Sequence, residues 1–561
     1  YGLFIANKVL GVDPTRATPA VINNDGLDYV PTNKHVLFGH HFAAIAGAGP
    51  LVGPVLAAQM GYLPGMLWLI VGVVLAGAVQ DFMVLFISSR RNGRSLGDLV
   101  REEMGQVAGT IALFGAFLIM IIILAVLAMI VVKALAESPW GMFTVIATMP
   151  IAIFMGIYMR YIRPGRIGEI SVVGLILLLA AIWYGGKVAA DPVWGPAFTF
   201  TGTQITWMLI GYGFVAAVLP VWLLLAPRDY LSTFLKIGVI VALAIGIVIA
   251  SPEVTSLKMP ALTQFASSGD GPVWKGGLFP FLFITIACGA VSGFHALISS
   301  GTSPKLLANE THIRYIGYGG MLMESFVAIM ALVAASIIEP GVYFAMNSPA
   351  AAIGTSAVDV AAKVSSWGFV VTPEMLTQTA QNIGEGTIIS RAGGAPTLAV
   401  GIAVILHDAL PGGDAMMAFW YHFAILFEAL FILTAVDAGT RAGRFMLQDL
   451  LGNFIPALRR TESWTANIIA TGGCVALWGY LLYQGVIDPL GGINTLWPLF
   501  GISNQMLAGI ALMLGTVVLI KMKRQRYIWV TLLPATWLLI CTTTAGFIKL
   551  FDANPAIGFL S

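Results

Sequence analysis

Long apolar runs separated by short charged segments make up most of the chain. Because a helix needs about 20 mostly apolar residues to cross a bilayer, runs of this length indicate membrane spans. Three of them hold no charged residue, namely 107–132, 140–159 and 204–227. Ten others are weaker or interrupted: 38–59, 62–88, 168–185, 231–250, 278–300, 315–338, 416–438, 464–485, 495–520 and 527–550. The pattern predicts an all-α polytopic membrane protein with about thirteen spans.

One shorter apolar run, 396–411, ends at His407 and Asp408. Lysine and arginine collect on the cytoplasmic side of membrane proteins. If this run does not cross, 22 of the 29 Lys and Arg residues lie inside, whereas the split is 15 to 14 if it does. We therefore expect 396–411 to re-enter the membrane or to pack against the bundle, and Arg441 and Lys521 to be cytoplasmic.

This topology divides the chain into four parts. Residues 1–37 form a cytoplasmic entry segment, and 38–338 form a transmembrane core that holds both broken helices. Residues 339–415 form an extracytoplasmic loop with the re-entrant segment, and 416–561 form the C-terminal transmembrane helices. Because the first residue is a tyrosine, we expect the chain to be a piece of a longer protein.

The composition agrees with a chain solvated by lipid. Hydrophobic residues make up 58% and charged residues 10%, against about 25% charged in soluble domains. A net charge of +2 gives no reason to expect a nucleic-acid partner. The three cysteines form no CxxC pair, and no GxSxG, Walker A or HExxH motif occurs. We expect neither an enzyme nor a cofactor.

Helix-breaking residues interrupt some of the apolar runs. The first span, at 39–54, reads GHHFAAIAGAGPLVGP, and the sixth span contains Gly211, Gly213 and Pro220. Lipid tolerates irregular backbone only where protein or a water-filled cavity receives the freed polar groups. Breaks at matching positions of two inverted halves are a pointer to a transport site, so these two spans predict inverted five-helix repeats. Tight helix packing is the other use of such small residues.

The break in the first span is the predicted ligand site. A helix that starts inside the membrane offers free N–H groups and a positive dipole end to an anion. We expect this backbone to face the sixth span across a cavity lined by the small and polar residues of 284–301. The predicted binding residues are Gly47, Ala48, Gly49, Pro50, Tyr212, Gly213, Ser292, His295 and Ser299.

Ionisable side chains inside apolar runs cost about 2.5–3.5 kcal/mol each on insertion scales, so they need partners or water. They are His40, His41, Asp81, His295, Glu324, His422, Glu428 and Asp437. Glu324 and His295 lie deepest and are close enough in sequence to pack together. We predict that they carry a proton, with Asp81 as the next candidate.

Three other features have two interpretations each. Asp437 and Arg441 lie four residues apart, which predicts an ion pair at a cytoplasmic helix end. Arg228 and Asp229 form either a surface turn or an inner gate. His40 and His41 are adjacent and point to different helix faces, and a metal site assembled across helices from these histidines and an intramembrane carboxylate is the alternative.

Six long stretches of the sequence resemble the carbon starvation protein A family. They are GHHFAAIAGAGPLVGPVLAAQMGYLPG, AGAVQDFMVLF, LAPRDYLSTFLKIG, FPFLFITIACGAVSGFHALISSG, SRAGGAPTLAVG and DPLGGINTLWPLFGISNQML. The family has a peptide-uptake branch and a pyruvate/proton symporter branch. The segments at 17–33, 88–93 and 450–461 look more like the pyruvate branch.

The resemblance implies a transporter of the bacterial inner membrane, induced by nutrient limitation, with hydrophobic helices ahead of Tyr1. It also implies the five-plus-five repeat of the amino acid–polyamine–organocation superfamily, of the leucine-transporter type. We therefore expect an importer of pyruvate or a similar small carboxylate, coupled to protons, with the lipid bilayer as its other partner. A peptide importer, a channel or sensor, and an intramembrane metalloprotein are the alternatives.

Overall fold

The computed structural model describes the whole chain except residues 25–28, 164–165, 220–224, 414, 453–454, 460–462, 489–491, 555–556 and 559–561. The described part is helical, and its only β-contact is an isolated bridge between Thr32 and Leu307. Nine of its helices are long and apolar enough to cross a membrane, or ten if a bent pair near the start is one span. The protein is thus a multi-pass membrane protein.

The helices that matter below are numbered in chain order. They are α1 (Lys34–Ile45), α2 (Gly49–Ala57), α3 (Tyr62–Ser89), α4 (Gln106–Leu135), α5 (Pro139–Ile157), α6 (Gly168–Ala190), α7 (Gly202–Val218), α8 (Leu225–Ile249), α9 (Ala287–Ala290), α10 (Phe294–Gly301), α11 (Gly319–Ser336), α12 (Ala395–Ala409), α13 (Met416–Gly452), α14 (Trp464–Ile487), α15 (Leu496–Lys521) and α16 (Trp529–Phe551).

The first predicted span is broken where its glycines and prolines lie. Helix α1 ends at Ile45, Ala46 adopts extended backbone angles, and α2 begins at Gly49 with a bend of 51° between the two helices. Pro50 stands in the first turn of α2, where its missing N–H costs no hydrogen bond. The break is therefore a change of direction between two half-helices.

The sixth predicted span is interrupted beyond its two glycines, since helix α7 ends at Val218 and Leu219 takes extended backbone angles. Helix α7 runs without interruption through Gly211 and Gly213, and Pro220 lies outside the described residues. The eighth predicted span is broken as well: between α9 and α10, Val291 takes extended backbone angles. Gly213 allows close packing, since a Cβ on it would come within 2.8 Å of the Trp478 ring, whereas a Cβ on Gly211 would meet no atom within 4 Å.

The broken first and eighth predicted spans cross at van der Waals distance. A Cβ on Gly49 would fall 2.0 Å from Cys288 Cβ, and one on Gly53 would fall 2.7 Å from the Thr285 carbonyl oxygen. Only glycine allows this approach of backbone to backbone. The crossing positions α10 and the start of α2 in one buried region.

Fewer helices qualify as spans in the described residues than the thirteen that composition predicts. Helix α7 and the described part of α8, Leu235–Ile249, are shorter than 18 residues, and 278–301 is divided into short pieces. The apolar composition of a run does not show whether its helix is continuous, whereas a regular span needs unbroken backbone hydrogen bonding. The thirteen spans and the inverted repeats stay predictions.

The segment 339–395 forms short helices over Pro340–Asn347, Ala350–Ile353, Ala357–Ser365 and Pro373–Asn382. Helix α12 follows with 15 residues, fewer than the roughly 20 that a span needs, and is buried over most of Ala395 to Leu406. This length agrees with the expectation that 396–411 packs against the bundle. The side of the membrane on which the segment lies stays a prediction.

Candidate functional site

Three ionisable side chains meet in the buried interior. His295 Nδ1 lies 2.9 Å from Asp81 Oδ2, and His295 Nε2 lies 2.9 Å from Glu324 Oε2. All three side chains have no exposed surface. The structure thus joins the residues that the sequence singled out as proton carriers, and we call them the relay.

Each relay residue comes from a different helix. Asp81 lies on α3, His295 on α10 and Glu324 on α11. A glycine permits the approach of two of them, since a Cβ on Gly317, just before α11, would come within 3.1 Å of the Asp81 carbonyl oxygen. The relay therefore depends on close packing of α3 against helices that lie more than 200 residues further along the chain.

Charge balance favours an extra proton in the relay. A protonated His295 between two carboxylates leaves one net negative charge in a fully buried site, and an uncompensated buried charge is costly. Within the described residues, Asp81 Oδ1 and both Glu324 oxygens lack a hydrogen-bond donor. The contact of His295 Nε2 with Glu324 is therefore an ion pair without hydrogen-bond geometry, and a proton on Glu324 would remove the excess charge.

A polar network holds the end of the relay helix. Cys288 Sγ donates to Ser292 Oγ at 3.2 Å, and Asn504 Nδ2 donates to the same oxygen at 3.2 Å. The Phe294 N–H donates to Asn504 Oδ1 at 2.9 Å. Asn504 of α15 thus satisfies the backbone freed by the break before α10.

Among the described residues, the same region contains the group of side chains that comes closest to forming a metal site. Ligand atoms of Cys288, His295 and Glu324 lie within 4.8 Å of one another. Two ligand atoms of a tetrahedral zinc ion lie about 3.3 Å apart. His295 Nε2 and Glu324 Oε2 are closer, at 2.9 Å, and are therefore in direct contact. Cys288 Sγ donates a hydrogen bond, as a protonated thiol does. The arrangement therefore fits a bound proton better than a bound metal ion.

The predicted alternative site at His40 and His41 is not assembled in the described part of the chain. His41 Nδ1 lies 2.7 Å from Ser303 Oγ, whereas His40 faces a cavity on the other side of α1. No group of three histidine, cysteine or carboxylate ligands includes either residue among those described. Their adjacency in sequence separates them in space.

A cavity of about 370 Å³ lies beside the relay. It is enclosed by α1, α4, α8, α10 and α13, and its polar lining residues are His40, Ser232, Lys236, Thr302 and Thr434. The remaining lining is apolar: Ala43, Ala44, Met120, Phe294, Leu297, Ile298, Gly301, Ala435, Ala438, Gly439 and Ala442. The volume is that of a small-molecule site.

Helix α10 separates the cavity from the relay. Phe294, Leu297 and Ile298 line the cavity, while His295 and Ser299, four residues apart, lie on another face and are buried. One helix of eight residues therefore carries a cavity face and a relay face.

None of the nine predicted binding residues lines this cavity. Gly49 packs on Cys288, as described above, and Ser292 is held by Asn504. Gly47 has open space beside it, since an added Cβ would meet no atom within 4 Å. Among these residues, only His295 belongs to the relay, and Gly47 is the one at the break with room for a neighbour.

Lys236 is a buried residue of the cavity wall that the sequence did not single out. It lies near the start of an apolar run, in LKIG, and such positions read as cytoplasmic ends. In the structure its side chain is 3% exposed and points into the bundle. The structure shows that α8 begins at Leu225, eleven residues before Lys236, which places the lysine three turns inside the helix, and the sequence gives no signal of that start.

The predicted ion pair of Asp437 with Arg441 is replaced by another pairing. Asp437 Oδ2 accepts a hydrogen bond from the Tyr212 hydroxyl at 2.6 Å and lies 3.5 Å from Arg228 Nη1, which also contacts that hydroxyl. Arg441 donates instead to the Leu219 carbonyl oxygen at 2.7 Å. Arg441 caps the end of α7, where the last carbonyls have no helical partner.

Two earlier expectations change with this pairing. Tyr212 faces Asp437 and not the hinge at Gly47, because its hydroxyl needs a buried partner. Arg228 is fully buried and pairs across helices, and the side chain of Asp229 lies outside the described residues. A simple surface turn at Arg228 is therefore wrong.

The chain belongs to the carbon starvation protein CstA family, because the sequence model of that family matches residues 1–545. It is 72% identical over 577 residues to the pyruvate/proton symporter BtsT of Escherichia coli (strain K12), covering 99% of this chain and 80% of the relative. It is 73% identical over 566 residues to the peptide transporter CstA of the same organism, covering 100% and 80%. The peptide transporter CstA of Campylobacter jejuni is 64% identical, covering 98% and 78%.

One solved structure with a similar course of the chain is the Eremococcus coleocola manganese transporter in complex with an aromatic bis-isothiourea substituted compound. The two are 12% identical with a TM-score of 0.45, and the match covers 92% of this chain and 87% of that one.

Proposed function

We propose that this protein is a secondary active importer of pyruvate or a similar small carboxylate, coupled to protons, in the bacterial inner membrane. It is not an enzyme. The observation that carries the proposal is the buried relay of Asp81, His295 and Glu324 beside a cavity in a multi-pass bundle. The relative named a pyruvate/proton symporter, 72% identical over nearly the whole chain, supports the substrate and the coupling ion.

The proton has a clear energetic purpose. Import of a monovalent anion into a negative-inside cell opposes the membrane potential by about 2.3 kcal/mol per 100 mV. One co-transported proton cancels this electrical term and adds the pH gradient. A buried group that binds one proton as the transporter closes would carry that proton across the membrane. The relay is such a group, because it has one excess negative charge.

The geometry also supports alternating access. The break between α1 and α2 and the one before α10 lie against each other, so both half-helices can tilt about the same crossing. Among the hinge residues, Gly47 has the space to present its backbone to a substrate. We assign the inner gate to Arg228, with Asp437 as the partner that it exchanges as the cavity opens.

A peptide importer is the second candidate, since several relatives are named peptide transporters. A zwitterionic peptide needs an acceptor for its ammonium group as well as a cation for its carboxylate. The described cavity lining includes Lys236 but no Asp or Glu. This lining favours a small monocarboxylate over a peptide.

Uptake into proteoliposomes tests the proposal. Vesicles with an inward proton gradient should accumulate labelled pyruvate, and a proton uncoupler should abolish the accumulation. Unlabelled pyruvate should compete, whereas di- and tripeptides should not. Accumulation of labelled peptide with no pyruvate uptake would replace the substrate, and uptake that never exceeds the outside concentration would indicate a channel.

A further inference from the structure

We propose that His41 transfers the proton between the relay and the cytoplasmic side, and that Ser303 receives it from His41. The inference rests on the proposed function and identifies the route by which the relay releases its proton. It gives a role to the second histidine of α1, which lies outside the relay.

His41 lies one helical turn away from the relay along α11. Its side chain is fully buried, and a Cβ on Gly320 would come within 3.0 Å of His41 Cδ2 and 3.7 Å of His41 Nε2. Gly320 stands four residues before Glu324 on the same face of α11, which is about 6 Å along the helix axis. The missing side chain of Gly320 therefore lets the His41 ring pack against the helix that carries Glu324.

Helix α10 connects the same two regions. His295 of the relay is followed by Ser299 one turn later, and Ser303 comes directly after the helix end. Ser303 Oγ lies 2.7 Å from His41 Nδ1. The rings of His41 and His295 are also close enough for their charges to interact. One short helix thus has the relay at one end and the partner of His41 at the other.

Three buried polar atoms of this region have no hydrogen-bond partner among the described residues: Glu324 Oε1, Ser299 Oγ and His41 Nε2. Buried polar groups in native proteins are nearly all paired, often through a water molecule. The axial distance of about 6 Å between Gly320 and Glu324 equals two consecutive hydrogen bonds of about 2.8 Å each. A single hydroxyl group or water molecule would therefore connect Glu324 to His41.

The imidazole ring can take up a proton at one nitrogen and release one from the other. In the tautomer that donates from Nδ1 to Ser303 Oγ, His41 Nε2 is free to accept. The proton leaves Glu324 and binds Nε2, which leaves Glu324 anionic and His41 cationic. The Nδ1 proton then moves to Ser303 Oγ while the hydroxyl proton moves to water, and His41 is neutral again. Water reaches the chain at Thr302, which is exposed and lines the cavity.

The position of His41 indicates the side of release. Helix α1 begins at Lys34, next to the predicted cytoplasmic segment, and His41 lies two turns inside it. The titratable neighbours of His41 are His295 and Glu324 of the relay, and His40 faces the cavity on the other side of α1. His41 is thus placed between the relay and the cytoplasmic end of the bundle.

A proton-flux measurement in proteoliposomes tests the route, with a pH-sensitive dye trapped inside the vesicles. External pyruvate should acidify the interior of wild-type vesicles, since one proton enters with each anion. His41→Gln keeps a hydrogen-bonding side chain beside Ser303 but cannot carry a proton, so acidification should be about a hundredfold slower. Exchange of labelled pyruvate at equal concentrations on both sides should persist, because the relay need not release its proton during exchange.

His35→Gln is the matched control. His35 lies on the same helix, and its Nδ1 also contacts a hydroxyl group, that of Tyr315 at 3.2 Å, but its side chain is exposed. This variant should acidify the vesicles as the wild type does. A second pair of variants tests the hydroxyl group: Ser303→Ala should slow acidification, whereas Ser303→Thr should retain it.

Undiminished acidification by folded His41→Gln would overturn the route and leave the proposed function intact. Equal losses of exchange and acidification would also overturn it, since a purely structural role gives that result. Pyruvate uptake by the wild type without acidification would refute proton coupling and the route with it. If His41→Gln does not fold, the comparison of Ser303→Ala with Ser303→Thr decides the route.

Discussion

Gly49 and Cys288 touch where the two broken segments cross, so closely that a methyl group on Gly49 would lie 2.0 Å from Cys288 Cβ. We expect Gly49→Ala to lower the stability by about 1–3 kcal/mol, because overpacking forces the segments apart. Gly47→Ala is the matched control, since its added methyl group meets open space. Thermal unfolding of the purified variants measures both, and equal midpoints would show that the crossing is not tight.

The relay is tested by removing its proton carriers. Glu324→Gln or His295→Ala should abolish accumulation driven by a proton gradient, while at least one of them still exchanges bound substrate across the membrane. Coupling would then fail while the site next to it survives. Glu428→Gln is the control, because Glu428 is an equally buried carboxylate outside the relay. Normal accumulation by both folded relay variants across the pH range would refute the coupling role and leave Asp81 to be tested.

The pairing of Arg228 with Asp437 is accessible to a double-mutant cycle. Asp437→Leu alone leaves a buried guanidinium without its carboxylate, which we expect to cost about 3–5 kcal/mol. Adding Arg228→Met should recover most of that stability, since apolar side chains replace both charges. Chemical unfolding in detergent gives the four free energies, and additive losses would mean that the two residues do not interact.

A largely buried carboxylate outside the spanning helices should make the stability depend on pH. Glu103 ends the helix Leu96–Met104 and contacts Arg91 at 2.7 Å and Lys521 at 3.0 Å. Burial raises the pKa of Glu103, but the hydrogen bonds and charges of Lys521 and Arg91 outweigh it, so its pKa lies below the usual 4.5. As the pH falls, the unfolded chain therefore protonates this carboxyl before the folded protein does. The stabilisation by Glu103 is present above pH 4.5 and is lost as the pH falls further.

Glu103→Gln should be less stable than the wild type at pH 7, and the difference should shrink below pH 4.5. Glu102→Gln is the control, since Glu102 pairs at the exposed rim. Unfolding midpoints from pH 3 to 8 measure the effect, and a constant difference between Glu103→Gln and the wild type would contradict it.

Cysteine labelling tests the membrane topology. We expect single cysteines at Arg441 and Lys521 to react with an impermeant reagent only from the cytoplasmic side, and one at the exposed Val370 only from outside. The distribution of basic residues about 396–411 underlies this expectation. Labelling of Arg441→Cys from outside alone would mean that 396–411 crosses the membrane.

The sequence predicted those features whose physical cost in lipid is high. Asp81, His295 and Glu324 stand out because charges are rare in apolar runs, and their meeting follows from their need for partners. The break near Gly47 was predictable for the same reason, since glycine and proline in a span free backbone groups that must be satisfied.

Other features needed three-dimensional information. Gly213 and Gly49 look alike in sequence, yet one packs against a tryptophan in a regular helix and the other allows two broken segments to cross. Lys236 looks like a helix-end residue because its run has no marked start. The pairing of Asp437 with Arg228 in place of Arg441 depends on how α7, α8 and α13 pack, which local spacing does not determine.

The two faces of α10 have a kinetic consequence. An element about 12 Å long cannot rotate its relay face without moving its cavity face. A conformation that releases the proton therefore displaces Phe294 and Leu297 in the cavity wall in the same motion. Empty carriers that reorient with a bound proton should be rare, so futile cycling that dissipates the gradient without cargo is suppressed by the shape of a single short helix.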